Sequence, residues 1–277
     1  MISRRTLLLA PAASLLRAGP PNPVGCQNNA WKTDPADFDA FLGVLSRIKR
    51  IGYEGFEANV RFVQSQSGRV REAKARIGET GLRFMGSHTG MTPEPGGLEP
   101  LIAVSASFGA ERLVLSGSGL FENGRLDAGK LKAKAAYLTK TGEFCRQYGM
   151  GLTYHNHQGE FHGDGIEMEQ LLDQTDPENL SLMLDIGHAH LAGAGVTGFV
   201  ARHHQRIGGL HLRDLKGEDQ VPLGQGELDL PSLAGVIRET YWPGLLIVEE
   251  YLRTTDFAWA DSATTSDRNY LRKVFNS

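Results

Sequence analysis

The chain has 277 residues, 29 of them basic and 32 acidic, for a formal charge of −3. This length suits one large α/β domain with a substantial core, and the charge balance, with no basic run beyond Arg4-Arg5, argues against a nucleic-acid partner. Cys26 and Cys145 are the only cysteines and lie far apart, so neither a disulfide framework nor thiolate-held zinc is expected.

The first 22 residues read as a leader. MISRRTLLLAPAASLLRAGPP puts a twin arginine before a short apolar run and small residues, the pattern of a Tat export signal. The apolar stretch from Thr6 to Leu16 is too short to span a bilayer. An exported, periplasmic protein is expected, soluble and without membrane contact in its mature form; a cytoplasmic protein with a basic N-terminus is the alternative. Residues 23–277 form the expected domain.

From there the chain alternates short apolar runs with amphipathic segments, the signature of βα units around a parallel sheet. Strands are predicted at Val24 to Asn28, Gly55 to Ala58, Arg83 to Gly86, Arg112 to Leu115, Gly151 to Asn156, Leu180 to Asp185, Gly208 to Leu212 and Gly244 to Glu249. Helices are predicted at Pro35 to Ile51, Ser67 to Thr80, Gly97 to Phe108, Ala128 to Tyr148, Ile166 to Asp173, Val196 to Arg206, Pro231 to Glu239 and Thr265 to Phe275. Asp34, Asp229 and Thr264 to Ser266 read as N-caps. Gly52, Gly81 and Gly149 read as left-handed closing residues. Eight such units predict a single (β/α)8 TIM barrel of class α/β, with its chemistry in the loops after the strands.

Four strands of the second half end on metal-binding residue types: LTYHNH at His155 to His157, LSLMLD at Asp185, IGGLHL at His211 and LLIVEE at Glu249. A carboxylate closing an apolar strand is unfavourable unless something cationic meets it, which applies to Asp185 and Glu249. The period of two turns His211 inward and lets only one of Glu249 and Glu250 point inward; Glu249 is chosen, leaving Glu250 outside or at the surface. Around YHNHQGEF, His155, His157 and Glu160 are each able to bind metal. Two carboxylates with one or two imidazoles suit a divalent ion, Mn²⁺ first, with Co²⁺, Mg²⁺ or Zn²⁺ as alternatives. Further polar residues near strand tips are Asn28, Asn29, Glu57, His88 and Ser116, and His188 swings over the same opening. Arg213, Asp214 and Lys216 follow His211 and can anchor a substrate group or simply form a solvated loop, while Pro222 to Asp229 reads as a mobile rim loop.

The ordered set HNHQGEF, LDIGHAH, HLRDLKG, LGQGELD and IVEEY resembles the xylose isomerase-like TIM-barrel superfamily, in its sugar phosphate isomerase/epimerase branch with inosose dehydratase-like relatives. The resemblance implies a divalent metal held by His155, Asp185, His211 and Glu249. The first of these departs from the pattern, since many members carry glutamate there, so that either His155 binds or Glu160 reaches back. It further implies isomerisation or epimerisation of a ketose, aldose or keto-sugar through an enediolate. Glu160 and Glu249 are then the acid/base residues, and His88, His157, His188, Arg213, Lys216 and Glu57 the substrate contacts. The expected partner is a small-molecule sugar, with homo-oligomer formation left open. Alternatives are a dehydratase or lyase acting on a keto-inositol or 3-keto-glycoside, an AP endonuclease-like phosphodiesterase, and a non-catalytic sugar-binding barrel.

Overall fold

The computed structural model describes residues 21–250 and 254–276. Eight parallel strands close into a barrel: β1 Val24–Gln27, β2 Gly55–Asn59, β3 Arg83–Gly90, β4 Arg112–Ser116, β5 Gly151–His155, β6 Ser181–Asp185, β7 Ile207–Leu212 and β8 Leu245–Val248. Each strand pairs with its neighbours in sequence, and β1 meets β8 with Val24 opposite Leu246. The helices between them are α1 Phe38–Ile51, α2 Val70–Gly78, α3 Glu99–Phe108, α4 Ala128–Gln147, α5 Ile166–Asp173, α6 Val196–His203, α7 Leu230–Glu239 and α8 Phe257–Val274. Short helices at Arg61–Gln64 and Ile186–Leu191 follow β2 and β6 directly. Among the described residues no helix is long and apolar enough to cross a membrane. The proposed leader lies outside the described residues except for its last two; Asn22 already donates to the Trp242 and Gly244 carbonyls.

The core has two layers because strand side chains alternate. Met85, Val114, Met183, Leu245 and Ile247 fill the barrel interior, while Leu182, Leu184, Leu210, Leu212, Leu246 and Val248 join the larger core beneath the helices. This parity carries function. Continuing the inward series by two places His155 above Thr153, Asp185 above Met183, His211 above Gly209 and Glu249 above Ile247, all at the C-terminal ends of adjacent strands.

Glycines close helices where expected: Gly52 caps α1 at φ 99°, and Gly81 and Gly149 have φ 65° and 71°. Asp229 caps α7 by accepting the Ser232 N–H. Two of the expected N-caps fall elsewhere. Asp37, not Asp34, caps α1, the Asp34 carboxylate instead accepting the Ala36 N–H in the preceding turn. α8 begins at Phe257 under Asp256, leaving Thr264 buried mid-helix with its hydroxyl donating to Ala260 O. The 222–229 loop is tied down: buried Asp214 accepts the N–H groups of Gly224, Gly226 and Leu228, and Asp267 accepts that of Leu223. A Cβ at Gly226 would collide with the Asp214 carboxylate, so only glycine lets the loop wrap it.

Candidate active site

The four inward residues converge. One ligand atom each from His155, Asp185, His211 and Glu249 lies within 4.8 Å of all the others, and all four residues are buried. Register explains the meeting, since Asp185 is opposite His211, and His211 is opposite Ile247, two residues before Glu249. His211 Nδ1 lies 2.9 Å from His155 Nδ1 and 2.7 Å from Glu249 Oε2. Its Nε2 faces Glu57 Oε2 at 3.1 Å, and Gln27 Nε2 donates to the other Glu57 oxygen at 2.7 Å. A metal-binding histidine held from behind by a carboxylate has its tautomer and orientation fixed by that partner. Arg213 is the cation that Asp185 and Glu249 require: its Nη2 lies 2.7 Å from Asp185 Oδ2 and 3.0 Å from Glu249 Oε1. The guanidinium reaches there because Gly187 carries no Cβ; one would clash with the Arg213 chain.

The Asp185 carboxylate has two tasks. Oδ1 caps the helix Ile186–Leu191 by accepting the His188 N–H at 2.8 Å, and Oδ2 faces the site. Asn156 clamps the tips of β5 and β6 together, exchanging hydrogen bonds with both the N–H and the C=O of Asp185.

Electrostatics follow from burial and neighbours. Burial, then His211, push His155 well below the ordinary imidazole value, leaving a neutral ring. Burial acts the same way on His211, but Glu57 and Glu249 overcome it and raise that ring to about 10. Burial opposes ionisation of Glu57, yet His211 and His88 bring it down to about 2. Glu249 is likewise held well below the carboxylate range by Arg213 and His211 against its burial. Burial also lowers His188.

The set fits a divalent ion. Asp185 Oδ2 and Glu249 Oε2 are buried with Arg213 and His211 against them, and two ring nitrogens point at one another beside them. Two imidazoles and two carboxylates form an N/O donor set for first-row or alkaline-earth ions. Above it opens a cavity of about 640 Å³. His88, His157, His188 and Arg213 line it, as do Asn28, Asn29 and Ser116.

Three expected site residues lie elsewhere. Glu160, expected at the mouth as a proton-transfer group or fourth ligand, is enclosed behind β5: it accepts the Tyr154 hydroxyl at 2.7 Å and the His157 N–H at 3.1 Å, with Lys134 Nζ at 3.8 Å. Tyr154 points outward on β5, so its partner lies on the helix side. Glu57 sits beneath the cavity as the support of His211, not on its wall. Lys216 is exposed on a hairpin, Asp214–Lys216 against Asp219–Val221, and does not line the cavity. Glu250, expected outside, does point outward but is buried against Asp267. The cavity wall also contains Gln27, Trp31, Lys32, Arg61 and Phe62, which sequence reading passed over. Only Gln27 carried a signal, as a polar residue ending the buried run VGCQ.

A family profile described as xylose isomerase-like TIM barrel matches residues 45–274. The chain belongs to that family. Among curated members, the inosose dehydratase of Lacticaseibacillus casei is 27% identical over 174 residues, covering 52% of this chain and 58% of that protein. The fold of this family member is also shared with D-allulose 3-epimerase from Methylomonas sp., at 16% identity and a TM-score of 0.74 over 92% of this chain and 99% of that one. It is shared equally with 3-keto-D-glucoside 4-epimerase from E. coli, at 17% identity and a TM-score of 0.70 over 92% of this chain and all of that one.

Proposed function

We propose that this chain is a divalent-metal-dependent isomerase or epimerase acting on a ketose, aldose or keto-sugar, with Mn²⁺ as its first-choice ion. One observation carries the reading: the four buried ligand residues meet within 4.8 Å, and two of them, His155 and Glu249, line a cavity at the C-terminal mouth of the barrel. A divalent ion bound there would polarise neighbouring hydroxyl and carbonyl oxygens of a sugar and acidify the C–H beside the carbonyl.

The chain's own residues then divide the work. Arg213 pairs with both Asp185 and Glu249 and aims their carboxylates, and Glu57 fixes the ring of His211. Glu249 is the carboxylate at the cavity and the residue assigned to proton transfer. His188, kept neutral by burial, presents an unprotonated ring nitrogen beside the cavity, and His88 and His157 offer ring nitrogens to sugar hydroxyls. The twin-arginine leader pattern supports an unphosphorylated substrate outside the cytoplasm.

The seclusion of Glu160 favours a second reading, a dehydratase or lyase acting on a keto-inositol or 3-keto-glycoside. With that residue behind β5, Glu249 is the one carboxylate on the cavity wall among the described residues, joined by histidines. One carboxylate and a histidine suit removal of a proton with departure of a β-oxygen. Proton NMR in D₂O separates the two readings, using Mn²⁺-loaded protein with ketohexoses, a keto-inositol and a 3-keto-glucoside. Deuterium entering an intact sugar marks an isomerase or epimerase, whereas an unsaturated ketone or a released aglycone marks the lyase. Turnover equal in wild type and Asp185→Asn, or none with any sugar, removes both.

A further inference from the structure

Beside the mixed carboxylate and imidazole set lies another group that shares one member with it. Ligand atoms of His155, His157 and His188 also fall within 4.8 Å of one another. The local fold builds this trio. His155 and His157 are two apart at the end of β5, and His188 sits three residues past the tip of β6, brought alongside by the short helix that Asp185 caps. The ring centroids are 5.0 Å apart for His155 and His157, 5.2 Å for His157 and His188, and 6.3 Å for His155 and His188.

The hydrogen bonds leave lone pairs for coordination. His157 Nδ1 lies 3.3 Å from the Gly117 carbonyl, a contact that needs the proton on Nδ1 and leaves Nε2 as an acceptor. His188 Nδ1 is buried and has no hydrogen-bond partner. Three imidazoles from two neighbouring strand ends form the donor set of an open-sided zinc centre, with the fourth position left for water or a substrate oxygen.

We propose that His155, His157 and His188 form a second, nitrogen-only metal position that takes imidazole-preferring ions such as Zn²⁺, while the mixed set keeps Mn²⁺. His155 belongs to both, its Nδ1 lying 2.9 Å from that of His211, so the two positions share one ring. For an N-donor set the order of affinities places Zn²⁺ far above Mn²⁺, and removal of the carboxylates takes away what a hard ion prefers. The inference stands apart from the sugar reading, because ions alone test it.

The experiment uses chelated, full-length protein, with Mn²⁺ binding followed by electron paramagnetic resonance and Zn²⁺ binding by competition with a chromophoric chelator. His157→Gln and His188→Gln are expected to weaken Zn²⁺ by about tenfold or more and Mn²⁺ by less than about threefold. Asp185→Asn is expected to do the reverse. Retained Mn²⁺ binding shows that the histidine variants are folded, and His157 is exposed enough to change without disturbing the core. Zn²⁺ as tight in both histidine variants as in wild type overturns the proposal, as does loss of both ions together, which would place them in one site. Either result leaves the sugar reading intact as long as Asp185→Asn still loses Mn²⁺.

Discussion

Glu249 and Glu250 are adjacent on the chain and face opposite sides of the barrel wall. Glu249 points inward, where Arg213 and His211 hold it well below the carboxylate range. Glu250 points outward against Asp267 of α8, where burial first and Asp267 next push it up to about 9. The same division recurs three strands away in the barrel: His155 faces in among ligands, while its neighbour Tyr154 faces out toward Glu160, Lys134 and Glu167. Both faces bury charge, but they neutralise it differently. The inner face arranges cations around carboxylates that keep lone pairs aimed at one point. The outer face leaves carboxyls to meet one lysine or each other, which fixes loops and helices to the barrel.

The largest effect is expected on the outer face. Lys134 Nζ lies 2.7 Å from Glu167 and also donates to the Ser118 carbonyl, so Lys134→Met leaves two carboxylates buried without their cation. Breaking a buried pair from one side costs about 3–5 kcal/mol, about 6–15 °C in melting temperature for a chain of this size. A shift under about 2 °C would mean that water already neutralises the cluster. On the inner face Asp185→Asn should weaken Mn²⁺ by about 100-fold or more, above the 10–100-fold typical of a lost outer partner. Calorimetry offers the check: Mn²⁺ at about 100 times its Kd adds about 2.7 kcal/mol to wild-type stability, an increment expected to vanish in the variant, whose ion-free stability also falls because Arg213 keeps only Glu249 as its buried partner.

Along the strands sequence periodicity read the molecule well, and past their ends it did not. Parity along β7 and β8 placed His211 and Glu249 inward, and the cost of a carboxylate closing the apolar run of β6 singled out Asp185. After His155 the backbone leaves the strand and turns through the short 3-10 segment Gly159–Phe161, so alternation says nothing about Glu160. Lys216 escaped for a related reason, as the chain after β7 folds into a hairpin. Arg213 continues the inward series by two from His211, yet its role depends on Gly187 in the short helix after β6, a pairing that one strand's pattern does not contain. The start of α1 was missed because Asp34 and Asp37 are both competent caps, and only tertiary packing of Phe38 and Phe41 selects the second.

A finer cut within the inner face comes from Glu57→Gln. The amide can still meet Gln27 but is a weaker partner for His211 Nε2, so Mn²⁺ affinity should fall by about 10–100-fold with less loss than in Asp185→Asn. Equal losses in the two variants would move Glu57 from a support of His211 to a ligand in its own right.

The smallest effect separates the two faces by pH. Glu250 and Asp267 are raised to about 9 and about 6, burial being the first cause for both, and the two carboxyls sit against each other. A carboxyl raised in the folded protein binds a proton that the unfolded chain has already released. Its stabilisation is therefore complete below the unfolded value and fades as pH rises through the folded one. Wild-type stability should accordingly decline between about pH 6 and pH 9 by at least about 1 kcal/mol, since a tenfold difference in proton affinity between folded and unfolded chains is worth about 1.4 kcal/mol. Glu250→Gln keeps a donor beside Asp267 and removes one of the two ionisations, so its melting curve should be flatter over that interval. In metal-free protein Glu249 is already ionised throughout the range, but His211, raised to about 10, adds a slope of the same sign to both proteins, so the difference between the two profiles reads the outer pair. Parallel pH profiles for the two proteins would show that the outer pair is not the titrating element.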